Sequence, residues 1–137
     1  MPDTAQTNSR ITAAYLEKTP GSATLAREAA ECFPSGITHD SRFLLPYGIY
    51  VCEAKGAHKR DVDGNDYVDY YGGHGALLLG HNRAEVVAEI QAAVAHGTHF
   101  GANHPLEVTW AKWVKKLVPS AERVRFTSSG TEATLMA

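Results

Sequence analysis

The sequence predicts an α/β chain: N-terminal helices, a small antiparallel sheet, then helices leading to a strand that turns into one more helix. Three observations carry this. Two segments before residue 34 place apolar residues at helical spacing. Three short alternating segments follow between residues 49 and 70, with an Asp63-Gly64 turn between the second and third. At the far end, Val124 and Phe126 alternate with polar residues and run through Ser129-Gly130-Thr131 into a helical Glu132-Ala133-Thr134-Leu135-Met136-Ala137.

In order, residues 1–10 read as a loose polar terminus without the apolar stretch of a secretory signal. Residues 11–19 and 22–33 read as helices separated by Pro20-Gly21, with Ser22 as cap and Ala23, Leu25, Ala26, Ala29 and Ala30 as the apolar side of the second. Pro34, Gly36, Pro46 and Gly48 mark 34–48 as an ordered loop. Ile49, Val51 and Glu53 begin a strand, 57–62 form a second, and Tyr67 to Tyr70 a third across the hairpin turn. Gly72-Gly73-His74-Gly75 opens a flexible stretch ending at Gly80-His81. Asn82-x-x-Glu85 reads as a capping box for a helix bearing Val86, Val87, Ile90 and Val94, stopped by Gly97. After a loop at 98–104, Pro105 suits the first turn of a helix with Leu106, Trp110, Trp113, Val114 and Leu117 on one side. Lys112, Lys115 and Lys116 favour its C-terminal end, and Pro119 stops it.

Bulk properties narrow the function. The 137 residues suit about one domain. Thirteen Lys and Arg against fifteen Asp and Glu leave a net charge of −2, with no general pull toward nucleic acid or an acidic membrane. The longest apolar run, Ala76 to Leu79, is far too short to span a bilayer. Cys32 and Cys52 make neither a disulfide framework nor a metal spacing, so a reduced cytoplasmic setting is expected.

The terminal turn is the strongest chemical signal. The first N–H groups of a helix lack partners and the helix dipole adds positive character, which makes an anion site. Ser129-x-x-Glu132 is also a plain capping box. Both readings use the same donors and both stand at this point. Gly130 occupies a place where a better helix former would be expected, which suggests close approach of something to the backbone. The chain ends one turn into this helix, and a single turn gains little by itself, so the sequence is expected to be cut.

Other motifs are weaker. Asp61-Val62-Asp63-Gly64-Asn65-Asp66 resembles the start of a calcium loop, but its sixth position is Asp66 and its twelfth Gly72, so a hairpin turn explains it better. His96, His99 and His104 lack a carboxylate or cysteine at ligand spacing, and no metal is expected. No dinucleotide fingerprint, P-loop or nucleophile elbow is present. Arg42 lies in the Pro/Gly-bounded loop, and a guanidinium there suits a carboxylate held by two parallel bonds. From the sequence alone, a solvated arginine, or one paired with Asp40, is the better account.

Phe126 to Ala133 resembles the corresponding segment of class III aminotransferases, closest to the glutamate-1-semialdehyde aminomutase branch. Asp61 to Tyr70, Leu79-Gly80-His81-Asn82 and Phe100-Gly101-Ala102 match in order and spacing, and the resemblance runs from about Pro34 to Ala137. It implies the N-terminal portion of a fold-type I, pyridoxal 5′-phosphate-dependent enzyme, a cytoplasmic homodimer when intact. It implies three parts: an N-terminal helical segment at 1–33, small-domain sheet at 34–80, and the truncated start of a large, mostly parallel-sheet domain at 81–137. It further implies that Ser129, Gly130 and Thr131 bind the cofactor phosphate and that Arg42 meets a substrate carboxylate, with His74 bordering the same pocket.

Two segments depart from the aminomutases. His39-Asp40-Ser41-Arg42 keeps the arginine but not the Ser-Pro-Val lead-in, and Gly73-His74-Gly75 stands where Ser-Trp-Gly is usual. An aminotransferase acting on an amino acid donor and a keto acid or aldehyde acceptor is therefore expected, with the aminomutase, or a non-catalytic remnant, as alternatives. In the family, amino-group transfer runs through a Schiff base on a lysine well downstream of the Ser-Gly-Thr turn. No catalytic residue is expected in this segment, and the 137 residues alone are expected to be inactive. Leu77, Leu78, Val124 and Phe126 are expected to be exposed and to favour aggregation.

Overall fold

The computed structural model describes residues 9–137 and divides into two compact units, broken after Ile90. Helix α1 (Ser9–Lys18) is followed at once by α2 (Pro20–Cys32). Two single 3-10 turns, Pro34–Gly36 and Asp40–Arg42, interrupt the loop that leads to the sheet. Strands β1 (Val51–Lys55), β2 (His58–Asp61) and β3 (Asp66–Val68) pair antiparallel in the order β1-β2-β3, with a bulge at Val51/Glu53. Helix α3 (Ala84–Val94) straddles the break between units, and α4 (Pro105–Leu117) and α5 (Gly130–Met136) lie in the second.

Helices, strand order and hairpin follow the sequence reading; the expected loose terminus falls mostly on residues 1–8, outside the described residues. Three expectations need correction. Ser22 does not cap α2. Pro20 occupies the first helical position, where its missing N–H costs nothing, so the cap position falls to Thr19, whose side chain makes no capping bond. The free donors of the first turn are met instead by a distant carboxylate: Asp63 accepts from the N–H groups of Gly21 at 2.5 Å and Ser22 at 2.9 Å, and from the Ser22 hydroxyl at 3.0 Å. Gly21 is required for this, because a Cβ there would lie 2.7 Å from Asp63 Oδ1.

The capping box at Asn82 also fails to form. Asn82 adopts a left-handed backbone with φ 53°, and Glu85 forms a two-bond ion pair with Arg83 at 2.7 and 3.1 Å. Finally, Val124 to Phe126 has no strand partner among the described residues. An isolated extended segment cannot be assigned as a strand without a ladder. Phe126 instead leans toward Trp110, ring centroids 6.1 Å apart.

The first unit is held by polar contacts. Among the described residues no hydrophobic side chain is buried; the fully buried ones are Thr19, Ser22 and Asp61. Asp61 accepts from the N–H groups of Asp63 (3.0 Å) and Asn65 (2.8 Å), the Asn65 amide (3.0 Å) and the Tyr67 hydroxyl (2.7 Å). Asn65 then donates to the Lys18 carbonyl at the end of α1, at 2.8 Å, so the hairpin turn grips both sides of the α1–α2 junction. Asp61 and Asp63 of the calcium-like stretch are occupied by these bonds, and Asp66 accepts two from Arg60 at 2.8 and 3.1 Å. The substitution Asp63→Ala is expected to cost about 1–2 kcal/mol, the usual loss for a helix cap, read as a lower urea midpoint in far-UV circular dichroism.

Exposure elsewhere agrees with the sequence reading for Leu77 (40 %), Leu78 (92 %) and Phe126 (45 %), whereas Val124 is half-buried. No helix among the described residues is long and apolar enough to cross a membrane.

Candidate functional site

In the first unit the loop bearing Arg42 meets the turn bearing His74. The His39 side chain caps the Asp40–Arg42 turn: its Nδ1 accepts from the Ser41 N–H at 3.1 Å, so a neutral His39 ring carries its proton on Nε2. The His39 and His74 rings approach edge-to-face at 5.8 Å. Tyr71 bonds His74 Nδ1 through its hydroxyl at 2.7 Å, with ring centroids 4.6 Å apart. His74 itself is left-handed at φ 61°, a strained backbone for a residue with a Cβ. Arg42 is exposed and donates to Thr38 Oγ1 at 2.8 Å. It makes no ion pair among the described residues, so pairing with Asp40 is not what holds it. Its remaining donors suit an incoming carboxylate.

At the two ends of the segment that bears His74 lies a cluster that the sequence reading missed. Asp69, its side chain 2 % exposed, receives Lys59 Nζ at 2.9 Å and His81 Nε2 at 2.6 Å. The hydrogen bond from His81, then that from Lys59, together with two backbone N–H groups, outweigh burial and hold the Asp69 carboxyl well below the usual carboxylate range. An ionised carboxylate only accepts, so His81 Nε2 is the donor. The only signal in the sequence is a carboxylate and an imidazole flanking a glycine-rich stretch. A cavity of about 380 Å³ opens beside Asp69 and His81, lined also by Gly56 and Leu77 to Leu79, and it takes in neither Arg42 nor His74.

In the second unit, Ser129 opens α5. Its hydroxyl accepts from the Glu132 N–H at 3.2 Å, and Glu132 Oε2 reaches back to the Ser128 N–H at 2.7 Å, one residue earlier than a standard capping box. The N–H groups of Gly130 and Thr131 and the Thr131 hydroxyl have no acceptor among the described residues. A Cβ at Gly130 would meet nothing within 4 Å, so no contact within the chain demands glycine there. Two unpaired N–H donors, a hydroxyl and open space fit a phosphate. His104 serves differently: it caps α4 with a reciprocal box to Glu107 and stacks on Phe100 at 4.9 Å. Among the described residues no group of three or more His, Cys, Asp or Glu is placed to hold a metal.

Helices, a small antiparallel sheet with an arginine loop, and a Ser-Gly-Thr helix opening define the class: this is the fold of the fold-type I pyridoxal-phosphate transferases. Solved structures share it. A transaminase with pyridoxal phosphate bound matches with a TM-score of 0.83 and 42% identity, over 86% of this chain and 28% of that one. The β-phenylalanine aminotransferase of Variovorax paradoxus matches with a TM-score of 0.85 and 28% identity, over 90% of this chain and 29% of that one. The family described as Aminotransferase class-III matches residues 41–137, and the chain belongs to that family. Among curated relatives, the glutamate-1-semialdehyde 2,1-aminomutase of Methylacidiphilum infernorum is 44% identical over 116 residues, 82% of this chain and 27% of that protein. That of Aquifex aeolicus is 40% identical over the same length and shares. The chain thus spans little more than a quarter of the length of these relatives.

Proposed function

We propose that this chain is the N-terminal part of a pyridoxal-phosphate-dependent aminotransferase that moves an amino group from an amino acid to a keto acid or aldehyde. The observation that carries the reading is the class-III match across residues 41–137, which takes in both Arg42 and the Ser129-Gly130-Thr131 turn. The three-part organisation (1–33, 34–80, 81–137) belongs to the same reading, as do a homodimeric, cytoplasmic enzyme and free thiols at Cys32 and Cys52.

Within it, Ser129, Gly130 and Thr131 hold the cofactor phosphate through the two unpaired N–H groups and the hydroxyls. The bound cofactor supplies an electron sink for the carbon that bears the amine. Arg42 fixes the substrate carboxylate with parallel N–H bonds, and His74 borders the same pocket. The reactive lysine lies outside these residues. Lys59 is committed to Asp69, and Lys116 sits over the Trp113 ring at 4.7 Å. With the reactive lysine outside them, the 137 residues alone are inactive in this reading.

A second reading has its own support. The aminomutase names of relatives at 40 to 44% identity favour transfer of the amine within one carbon skeleton. The experiment that separates the two supplies glutamate 1-semialdehyde to the full-length protein without an external acceptor. An aminotransferase is expected to release no 5-aminolevulinate and to need a separate donor and acceptor. Stoichiometric 5-aminolevulinate establishes the aminomutase instead. No turnover in either assay, with pyridoxal phosphate supplied, sinks both.

A further inference from the structure

One carboxylate closes the segment 71–81 at both ends. From the near end, the N–H groups of Tyr71 and Gly72 donate to Asp69 Oδ1 at 2.9 and 3.2 Å. From the far end, His81 Nε2 donates to Oδ2 at 2.6 Å. A second closure lies beside it: Gly56 and His81 exchange two backbone hydrogen bonds, each 2.8 Å. Gly80 permits that approach, since it holds φ +77° and a Cβ there would lie 2.8 Å from the Gly56 carbonyl oxygen. Between the closures the chain folds on itself, with Leu77 N–H on the Gly72 carbonyl at 3.0 Å and Gly75 N–H on the Tyr71 carbonyl at 3.0 Å. His74 stands in this segment with its left-handed backbone. Such strain persists only where the surroundings over-determine it. The exposed Tyr71 bond and the His39 ring edge are weak restraints; the buried Asp69 carboxylate is the strong one.

We propose that Asp69 and His81 are positioning residues for the reaction: they clasp the 71–81 segment and thereby fix His74 against His39, on the Arg42 side of the site, which sets the affinity for the amino acid. The inference rests on His74 bordering the substrate.

The test compares His81→Leu, which has no donor, with His81→Gln, whose carboxamide nitrogen keeps one, in the full-length protein. His81→Leu is expected to raise KM for the amino acid about tenfold with kcat within about twofold, the signature of lost ground-state and transition-state binding alike. Amide hydrogen exchange is expected to quicken about a hundredfold at Gly75, Leu77 and Gly80 while Ala23 and Phe33 in and after α2 keep their protection. His81→Gln is expected to recover KM to within about threefold. Faster exchange in the segment with unchanged KM overturns the positioning role, and so does equal loss of protection throughout the first unit. If His81→Leu does not fold, His81→Asn, whose shorter amide falls short of Asp69, replaces it under the same criteria. Should the wild-type protein transfer no amino group, the proposed function fails by itself, and the exchange pattern still judges the clasp: unchanged exchange in His81→Leu overturns it.

Discussion

Replacing Asp61 with alanine is expected to destabilise the first unit by about 3 kcal/mol, the largest effect of any single substitution there. The carboxylate is 1 % exposed and accepts four hydrogen bonds; removing it strands the donors of Asp63, Asn65 and Tyr67. It also frees the Asn65 amide that caps the end of α1. Asp61→Asn keeps the size but sets an NH₂ donor against donors, so a loss of about 2 kcal/mol is expected. The same site predicts an acid dependence. Burial alone would raise the Asp61 pKa, but hydrogen bonds from Asn65, Tyr67 and the Asn65 and Asp63 backbone outweigh it, and the net shift is downward. A carboxyl depressed in the folded state contributes stability that is fully present above its unfolded pKa, about 3.9, and is lost as pH falls through the folded value. Urea midpoints should thus drop below about pH 4, and the slope should be shallower in Asp61→Asn. Tyrosine signals should follow this transition, since Tyr15, Tyr47 and Tyr67 surround the junction whereas Trp110 and Trp113 report on the second unit. Tyr67 is a further probe: burial and the adjacent Asp61 carboxylate push its phenol up to about 12. Equal urea midpoints for wild type and Asp61→Ala would remove the polar junction as the organising contact.

The second expectation concerns the helix opening, where a cap and a phosphate site use the same donors. Gly130→Ala separates them. Nothing lies within 4 Å of the added Cβ, so the fold should tolerate it and gain up to about 1 kcal/mol from helix propensity. If Gly130 is present to admit a phosphate, the methyl group obstructs that approach. Pyridoxal phosphate should then bind at least about tenfold more weakly, the loss of one charge-assisted hydrogen bond. Thr131→Val should give a similar loss by removing a hydroxyl with no partner among the described residues. The measurement is an absorbance titration of the full-length apoprotein with pyridoxal phosphate. Wild-type affinity in both variants would leave Ser129-x-x-Glu132 as a plain cap.

Much of this molecule is legible residue by residue. The helices of the first unit, the Asp63-Gly64 hairpin and the start of α4 at Pro105 depend on spacings of a few residues, and local preference decides them. Each misreading was decided by a partner, present or missing, that the local pattern does not specify. Ser22 looked like a cap because serine ordinarily caps its own helix, yet the group that receives its donors is Asp63, 41 residues on. Asn82 and Glu85 had the capping spacing, but a nearby guanidinium outcompeted the backbone for the carboxylate. Val124 to Phe126 had strand alternation, and alternation supplies no partner strand.

The family is legible from the order and spacing of separate motifs along residues 41–137, and the helices and the Ser129-Gly130-Thr131 turn from contiguous residues whose chemistry acts over one or two turns of chain. Tertiary structure alone decided that the first unit is knit by Asp61 and Asp63 rather than by apolar burial. It alone decided that His39 meets His74, and that Asp69 and His81 close the segment between them. The contacts of Asp63 with Gly21, of His39 with His74 and of Asp69 with His81 join residues 12 to 42 positions apart, and which distant donor such a carboxylate satisfies is fixed only when the backbone brings them within hydrogen-bonding reach.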